Sequence, residues 1–236
     1  MQKRPFETFD SIDAWVFDLD NTLYPASSGL FNQVSQRMTG YISEYFNIAH
    51  DAALERQRSL FMQYGTTLRG LMTEHSVDPE PFLEHVHKVD FGLVQPNPDL
   101  AHKLGRLPGR KLIFTNSPRI HATRVMERLG ITDHIEHVFD ISDADYIPKP
   151  DSECYAMLMH RHKVKASSAC MVDDIASNLV PAKAMGMTTV WLKGEHEWAR
   201  PDPEHAILRH VDFVAENLVR WLDGVLEYLE ASPHSS

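Results

Sequence analysis

Residues 14–27 read AWVFDLDNTLYPAS, a strand-like segment that ends in acidic residues. Four apolar residues lead directly into Asp18 and Asp20, which stand only one residue apart. Carboxylates this close raise each other's pKa unless a cation or a shared proton compensates their repulsion. The sequence therefore predicts a cation site or a reacting group at the carboxyl end of the first strand.

The chain beyond this strand divides into two kinds of segment. Between residues 27 and 96, apolar residues recur at spacings of three and four, which predicts helices, and nothing in this stretch has the pattern of a strand. From residue 111 onward, strand-like and helix-like segments alternate; the strand-like ones are KLIFT, EHVFDIS, ACMVDD, TTVWLK and DFVA. Alternation of this kind builds a mostly parallel sheet that is covered by helices on both faces.

The order of these segments predicts an α/β protein with a doubly wound, Rossmann-like, mostly parallel sheet. We expect one core domain made of residues 1–26 and 97–236, with an α-helical domain of residues 27–96 inserted after the first strand. The cluster Pro96-Asn97-Pro98 marks the return to the core domain.

Composition narrows the range of partners and locations. The chain has 33 acidic and 23 basic residues and a formal net charge of −10, which disfavours nucleic-acid polymers and anionic membranes as partners. No apolar run approaches the roughly 18 residues of a membrane-spanning helix. The two cysteines, Cys154 and Cys170, predict neither a disulfide framework nor a zinc site. We expect a cytoplasmic protein that is a monomer or a homodimer.

Polar residues follow several other predicted strands. Ligands of open parallel sheets bind beyond the carboxyl ends of the strands, so these residues are candidates for one shared site. Four carboxylates around one crevice suit a hard cation such as Mg²⁺, and hydroxyl, amide and lysine donors suit a phosphate group. The candidates that follow strands are Asp18, Asp20, Thr115, Asn116, Ser117, Asp173 and Asp174. Lys149 joins them from the segment before the helix that leads to the strand ACMV.

Two neighbouring carboxylates also suggest a division of chemical labour. One carboxylate is suited to attack phosphorus and form an aspartyl phosphate. A second carboxylate two residues away is suited to protonate the leaving oxygen and later to deprotonate water. This interpretation explains why Asp18 and Asp20 are spaced as they are.

Each candidate taken alone has an ordinary explanation. An isolated Asp-x-Asp is commonly a turn or a helix cap, and Lys149 alone would be a surface lysine. The pairs His85/His87 and His160/His162 resemble metal ligands, but a spacing of two points helical side chains in different directions. We therefore expect these histidines to be solvated, and only the combination of strand-end motifs predicts a site.

In combination, the motifs resemble a known family. The segments D-x-D-x-T at 18–22, TNS at 115–117, Lys149 before a proline, and DD at 173–174 followed by Asn178 are similar to the four ordered motifs of the haloacid dehalogenase superfamily, in its phosphohydrolase branch. The helical segment 27–96 resembles the C1 cap of subfamily I, which closes over the site and selects the leaving group.

The resemblance implies a role for each candidate. Asp18 would be the nucleophile and a metal ligand, and Asp20 the general acid/base, which also lends its backbone carbonyl to the metal. Thr115 and Asn116 would bind phosphate, and Lys149 would neutralise charge. Mg²⁺ would be held further by the 173–174 pair, with Asp174 favoured over Asp173.

A narrower resemblance concerns the substrate. The segments DLDNTLYPASSGLF at 18–31 and YGTTLRGL at 64–71 are similar to the pyrimidine 5'-nucleotidase branch, which implies hydrolysis of a small phosphate ester such as UMP or CMP. Tyr64 is suited to stack on a base, and Arg69 to donate hydrogen bonds to a base or phosphate oxygen.

Other functions remain open at this stage. A phosphatase for phosphoglycolate or sugar phosphates, or a phosphomutase, would use the same core motifs. A 2-haloacid dehalogenase also uses an aspartate nucleophile but needs no leaving-group acid, so Asp20 argues against it. A non-enzymatic phosphoacceptor module would be about half this length and would have no inserted helices.

Overall fold

The computed structural model describes residues 5–194 and 209–232, so parts of the predicted core domain lie outside the described residues. Within these described ranges, six strands form one parallel sheet in the order β3-β2-β1-β4-β5-β6. The strands are β1 (Ala14–Phe17), β2 (Arg110–Phe114), β3 (His137–Phe139), β4 (Ala169–Asp173), β5 (Thr188–Leu192) and β6 (Phe213–Ala215). The predicted α/β, Rossmann-like fold class is confirmed.

Strand β1 lies in the middle of the sheet, where the order of the strands reverses. It pairs with β2 on one side and with β4 on the other, so Val16 lies between Leu112 and Met171. Ligands of open α/β sheets bind in the crevice beyond such a reversal. The residues that follow β1, β2 and β4 therefore meet at one edge of the sheet.

Both faces of the sheet are buried, which explains the nearly continuous apolar sequence of the central strands. Trp15 and Phe17 point into one buried cluster, and Ala14 and Val16 into the other. The first cluster is completed by α5 (Pro98–Arg106), α6 (Arg119–Leu129) and α9 (Leu218–Ala231). The second is completed by α7 (Ser152–His162) and α8 (Leu179–Met185).

Only helices, turns and loops occur between β1 and β2. Four helices precede α5, namely α1 (Leu30–Phe46), α2 (His50–Tyr64), α3 (Thr67–His75) and α4 (Pro79–Val86). Their apolar sides share a separate buried cluster that includes Val34, Ile42, Leu60, Leu71 and Phe82. We call residues 30–86 the helical insert.

The proline cluster after the insert also begins a helix that the sequence pattern does not predict. The side chain of Asn97 accepts a hydrogen bond from the backbone N–H of Leu100 at 3.0 Å, and Pro98 is the first residue of α5. Both features are favourable helix starts. The return to the sheet is thus a capped helix.

Strand β3 is shorter than the segment EHVFDIS predicts. It ends at Phe139, because the Asp140 carboxylate accepts hydrogen bonds from the backbone N–H groups of Arg119 (2.6 Å) and Asp143 (3.0 Å). This side chain forms a turn in place of further strand pairing. Among the described residues, no helix is both long and apolar enough to span a membrane.

Candidate active site

Lys149 is the centre of the strand-end cluster. Its Nζ lies 2.6 Å from Oδ1 of Asp18 and 2.8 Å from Oδ2 of Asp173, and it donates to the carbonyl of Phe114 at 2.9 Å. The side chain is only 1% exposed. Burial lowers the pKa of Lys149, but the charges of Asp173 and Asp18 outweigh burial and raise it above its ordinary value. Lys149 is therefore a permanent cation in this site.

Asp18 lies at the end of β1, facing the cluster. Burial raises the pKa of its carboxyl group to about 7, although the charge of Lys149 acts in the opposite direction. A carboxylate that is buried and only partly compensated favours a further positive charge nearby. Asp18 therefore has the environment expected of a group that binds a cation or a phosphoryl group.

The neighbouring residues Asp173 and Asp174 have different surroundings. Both oxygens of Asp173 accept hydrogen bonds, from Lys149 and from Nδ2 of Asn178 at 3.0 and 3.1 Å. The backbone N–H of Ile175 also donates to Asp173, at 2.9 Å. Protein donors thus hold both oxygens of Asp173. One of these donors is Asn178, the last residue of the fourth motif.

Asp174 has almost no donors by comparison. Thr22 Oγ1 lies 3.5 Å from its Oδ1, and its Oδ2 is buried without a hydrogen-bond partner in the described part of the chain. Burial, followed by the charges of Asp18 and Asp173, raises the pKa of Asp174 well above its ordinary value. A buried carboxylate oxygen without a donor is costly unless another ligand compensates it.

These observations test whether a metal ion fits. Carboxylate oxygens of Asp18, Asp173 and Asp174 lie within 4.8 Å of one another, and all three residues are buried. Hard oxygen ligands of this kind suit Mg²⁺. Since both oxygens of Asp173 are already bonded, the carboxylates left for a metal are those of Asp18 and Asp174.

Asp20 lies beside this cluster in a separate hydrogen-bond network. Its Oδ1 accepts from the Tyr24 hydroxyl at 2.5 Å and lies 2.7 Å from Nε2 of His121, while its Oδ2 accepts from Ser117 Oγ at 2.6 Å. Burial raises the pKa of Asp20, but the electrostatic interaction and hydrogen bond with His121 and the bonds from Ser117 and Tyr24 outweigh burial and leave the pKa below its ordinary range. Sequence reasoning did not identify Tyr24 or His121.

The predicted phosphate-binding residues join two of the loops at the sheet edge. Oδ1 of Asn116 accepts from the backbone N–H of Lys149 at 2.9 Å, and its Nδ2 donates to the Lys149 carbonyl at 3.2 Å. Oγ1 of Thr115 accepts from the backbone N–H of Ser117 at 3.0 Å. Asn116 therefore fixes the backbone at Lys149, and the donors that it keeps for a ligand are its own backbone N–H and the second hydrogen on Nδ2.

A cavity of about 350 Å³ runs from this cluster to the helical insert. One end is lined by Asp18, Asp20, Thr115, Asn116, Lys149 and Asp174. The other end is lined mainly by apolar insert side chains, with a few polar ones; these include Phe31, Met38, Leu54, Arg58, Phe61, Met62 and Thr66. Small-molecule sites commonly have this size and this mixture of lining groups.

Two residues that the sequence suggests for substrate recognition do not line this cavity. The Tyr64 hydroxyl donates to Oε1 of Glu74 at 3.0 Å, and the side chain packs near Gly70, so Tyr64 joins α2 to α3. Arg69 is likewise absent from the lining residues. Arg58 and Phe61 of α2 line the cavity instead. The side of α2 that carries these two residues faces the site.

The expectation that His87 is solvated is wrong. His87 is buried at the end of α4, and its Nδ1 lies 2.9 Å from the carbonyl of Leu83. Its ring centroid is 4.8 Å from that of His121. Burial lowers the pKa of His87 to about 3, so the ring is neutral at ordinary pH.

Comparison with known proteins gives a family match over most of the chain. The model of the haloacid dehalogenase-like hydrolases matches residues 12–186. The match begins just before β1 and ends after α8, so it includes every residue of the acidic cluster.

Individual relatives are more distant. The chain is 27% identical to phosphate metabolism protein 8 of Saccharomyces cerevisiae, over 72% of this chain and 58% of the yeast protein, whose length it therefore only partly spans. It is 28% identical to a glyceraldehyde 3-phosphate phosphatase of Pyrococcus furiosus, over 89% of this chain and 91% of that protein. Among solved structures, an L-2-haloacid dehalogenase of Xanthobacter autotrophicus has a TM-score of 0.58 at 17% identity, covering 93% of this chain and 99% of that one, which shows a shared fold.

Proposed function

Because the chain belongs to the haloacid dehalogenase-like hydrolase family, we propose that it is a Mg²⁺-dependent phosphomonoesterase that acts on a pyrimidine nucleoside 5'-monophosphate. The observation that carries the proposal is the position of Lys149, bonded to Asp18 at 2.6 Å beside an Asp174 whose Oδ2 has no hydrogen-bond partner among the described residues. Lys149 places one cation beside Asp18, and Asp174 offers a site for a second cation nearby. Together these positive charges would attract an anionic substrate to the Asp18 carboxylate.

The proposed reaction has two steps. An oxygen of Asp18 attacks phosphorus as the bond between phosphorus and the nucleoside 5'-oxygen breaks, and Asp20 gives a proton to that departing oxygen. Because His121, Ser117 and Tyr24 keep the pKa of Asp20 low in the free protein, the proposal requires that the negative charge of the bound phosphate raises this pKa so that Asp20 carries the proton in the complex. Asp20, now ionised, takes a proton from the water that attacks the aspartyl phosphate. This second attack releases inorganic phosphate and restores both carboxyl groups.

The other residues hold the substrate during these steps. Lys149 neutralises charge on Asp18 and on the phosphate, and the Thr115 hydroxyl and the backbone N–H of Asn116 donate to phosphate oxygens. Mg²⁺, held by Asp18, Asp174 and the backbone carbonyl of Asp20, would supply charge neutralisation on the phosphate oxygens when bound. Asp173 acts indirectly, since its bond to Lys149 keeps that cation beside Asp18.

The shape of the cavity supports a leaving group that is partly aromatic. Phe31 and Phe61 line the end of the cavity in the helical insert, and Arg58 adds a planar set of donors there. A pyrimidine base offers a flat apolar face together with carbonyl oxygens at its edge, which suits these side chains. We propose that the insert is a cap that binds the base.

A second candidate is a smaller sugar phosphate. The Pyrococcus furiosus relative, 28% identical over 91% of its length, has glyceraldehyde 3-phosphate as its named substrate. Such a leaving group would leave much of the apolar end of the cavity unfilled. Dehalogenation remains disfavoured, because a halide leaves without a proton and gives Asp20 no role.

The test is a substrate panel. Release of inorganic phosphate is measured from UMP, CMP, AMP, phosphoglycolate, glyceraldehyde 3-phosphate and sugar phosphates, each with Mg²⁺ and with EDTA. The proposal predicts the highest kcat/KM for UMP and CMP and loss of activity in EDTA. Activity on glyceraldehyde 3-phosphate or phosphoglycolate alone would retain the chemistry and reject the nucleotide, and no activity on any ester would reject the function.

A further inference from the structure

The Asp20 carboxylate is held on three sides. Tyr24 and His121 both contact Oδ1, at 2.5 and 2.7 Å, whereas Ser117 alone contacts Oδ2, at 2.6 Å. A carboxylate oxygen has about two lone-pair directions. Oδ1 is therefore fully bonded, and Oδ2 keeps one direction for a further partner.

His121 comes to Asp20 from a distant helix and is held there by packing. It lies in the first turn of α6 and is 1% exposed. Its ring packs against Phe91, with centroids 5.4 Å apart, and against His87. Tyr24, by contrast, follows Asp20 by only four residues, so its contact lies within one segment of the chain.

The two ring nitrogens of His121 have different environments. Nε2 faces the carboxylate of Asp20, while Nδ1 is buried and has no hydrogen-bond partner within the described residues. An ionised carboxylate only accepts hydrogen bonds, so Nε2 carries the proton in that state. The ring is thus kept in place for a single polar contact, the one to Asp20.

We propose that His121 is a positioning residue that fixes the Asp20 carboxylate so that Oδ2, and not Oδ1, exchanges the proton with the leaving oxygen. This inference rests on the proposed phosphomonoesterase function and adds a residue to it. Because His87, which caps α4 directly after the helical insert, packs on His121, the orientation of Asp20 is also tied to how the insert lies on the sheet.

The experiment uses substrates that differ in their need for an acid. A nucleoside 5'-oxygen is a poor leaving group that needs a proton, whereas p-nitrophenolate leaves without one. His121→Leu removes the contact to Asp20, and His121→Gln retains an N–H donor. For His121→Leu we expect kcat for UMP to fall by about 10²-fold with KM little changed, and a much smaller loss with p-nitrophenyl phosphate. His121→Gln should recover a large part of the UMP activity.

A double-variant comparison separates positioning from general damage to the site. If His121 acts through Asp20, adding His121→Leu to Asp20→Asn should slow UMP turnover no further than Asp20→Asn alone. Equal losses on both substrates, or additive effects in the double variant, would overturn the inference. Should His121→Leu fail to fold, His121→Phe, which keeps a ring but removes the donor, takes its place: a larger loss on UMP than on p-nitrophenyl phosphate supports the inference, and equal losses or no loss on either substrate contradict it.

Different experimental results would reject the proposed function and the positioning role of His121. If wild-type protein releases phosphate from no alkyl phosphate, the function is wrong. If another alkyl phosphate replaces UMP as the substrate, the same comparison is made with that ester. The positioning role of His121 is rejected when wild-type turnover is present and either the difference between alkyl and aryl esters is absent or the effects of His121→Leu and Asp20→Asn are additive.

Discussion

Nζ of Lys149 lies 2.6 Å from Oδ1 of Asp18, although the two residues are separated by 131 positions in the sequence. The parallel sheet brings them together, because Asp18 follows β1 and Lys149 precedes the helix that leads to β4. Both side chains are buried, so this ion pair is not weakened by solvent as a surface pair would be.

Removing the charge of Lys149 should affect both activity and stability. We expect Lys149→Met to lower kcat by roughly 10²- to 10³-fold, because one preorganised charge at the phosphate is lost. It should also lower the free energy of unfolding by about 3 kcal/mol, since Asp18 and Asp173 lose their shared cation. Lys165→Met, at an exposed position, is the control and should change neither. Wild-type kinetics for Lys149→Met would contradict the assignment.

Asp173 and Asp174 should respond differently to the same substitution. Asp174→Asn should raise the Mg²⁺ concentration for half-maximal activity at least about tenfold, because Asp174 provides an unbonded ligand oxygen. Asp173→Asn should lower kcat with a smaller change in Mg²⁺ dependence, because it disturbs Lys149. Thermal unfolding with and without Mg²⁺ gives an independent reading, since a metal that binds the folded state raises Tm. The reverse pattern would assign the metal to Asp173.

The structure and the sequence pattern point to different arginines of the insert as the substrate-binding residue. Arg58 lines the cavity and Arg69 does not. We expect Arg58→Gln to raise KM for UMP by about tenfold, because one charge-assisted hydrogen bond to the substrate is lost. Arg69→Gln should leave KM unchanged. Steady-state kinetics on both variants are the measurement. An increase for Arg69→Gln alone would restore Arg69 and Tyr64 as the recognition residues.

His87 should make the fold sensitive to acid. Because burial lowers its pKa to about 3, protonation favours the unfolded chain, where the ordinary value is 6.5. Its contribution to stability is complete above pH 6.5 and is lost as the pH falls toward 3. We expect His87→Asn, which retains a donor for the Leu83 carbonyl, to lose less stability than wild type between pH 7 and pH 4. The difference, from denaturant unfolding at both pH values, should be on the order of 3 kcal/mol. Parallel losses in the two proteins would exclude His87 as the cause.

Much of the core site follows from the sequence because parallel strands end at a common edge. Once β1, β2 and β4 are recognised, Asp18, Thr115 and the acidic pair must lie near one another, wherever the helices pack. Lys149 is a weaker candidate from the sequence alone, because nothing in its local sequence distinguishes it from a surface lysine; its position between the second and fourth motifs and the resemblance to a family assign it to the site.

The contacts that pattern reasoning missed depend on packing between distant elements. His121 and Asp20 are 101 residues apart, and their contact depends on how α6 lies against the loop after β1. A signal was nevertheless present, because His121 lies on the apolar stripe of α6 with Val125 and Leu129. A polar residue on such a stripe, one turn after a strand-end motif, is a candidate for contact with the site.

The cavity lining was missed for a similar reason. Phe61 and Tyr64 are both aromatic and lie three residues apart on α2, so periodicity alone does not say which one faces the site. The answer depends on how the helical insert rests on the sheet. In the structure, the Tyr64 hydroxyl is occupied by Glu74 of α3 while Phe61 borders the cavity.

The central claim, that Asp18 carries the phosphoryl group between two steps, has one direct test. A single turnover of wild-type protein with UMP and Mg²⁺ is stopped by rapid acid quenching, and the peptides are analysed by mass spectrometry. The account predicts a transient phosphoryl group on Asp18 that appears before inorganic phosphate and is absent in Asp18→Asn. Phosphate release by folded Asp18→Asn protein at the wild-type rate, with no phosphorylated Asp18 peptide at any time, would contradict it.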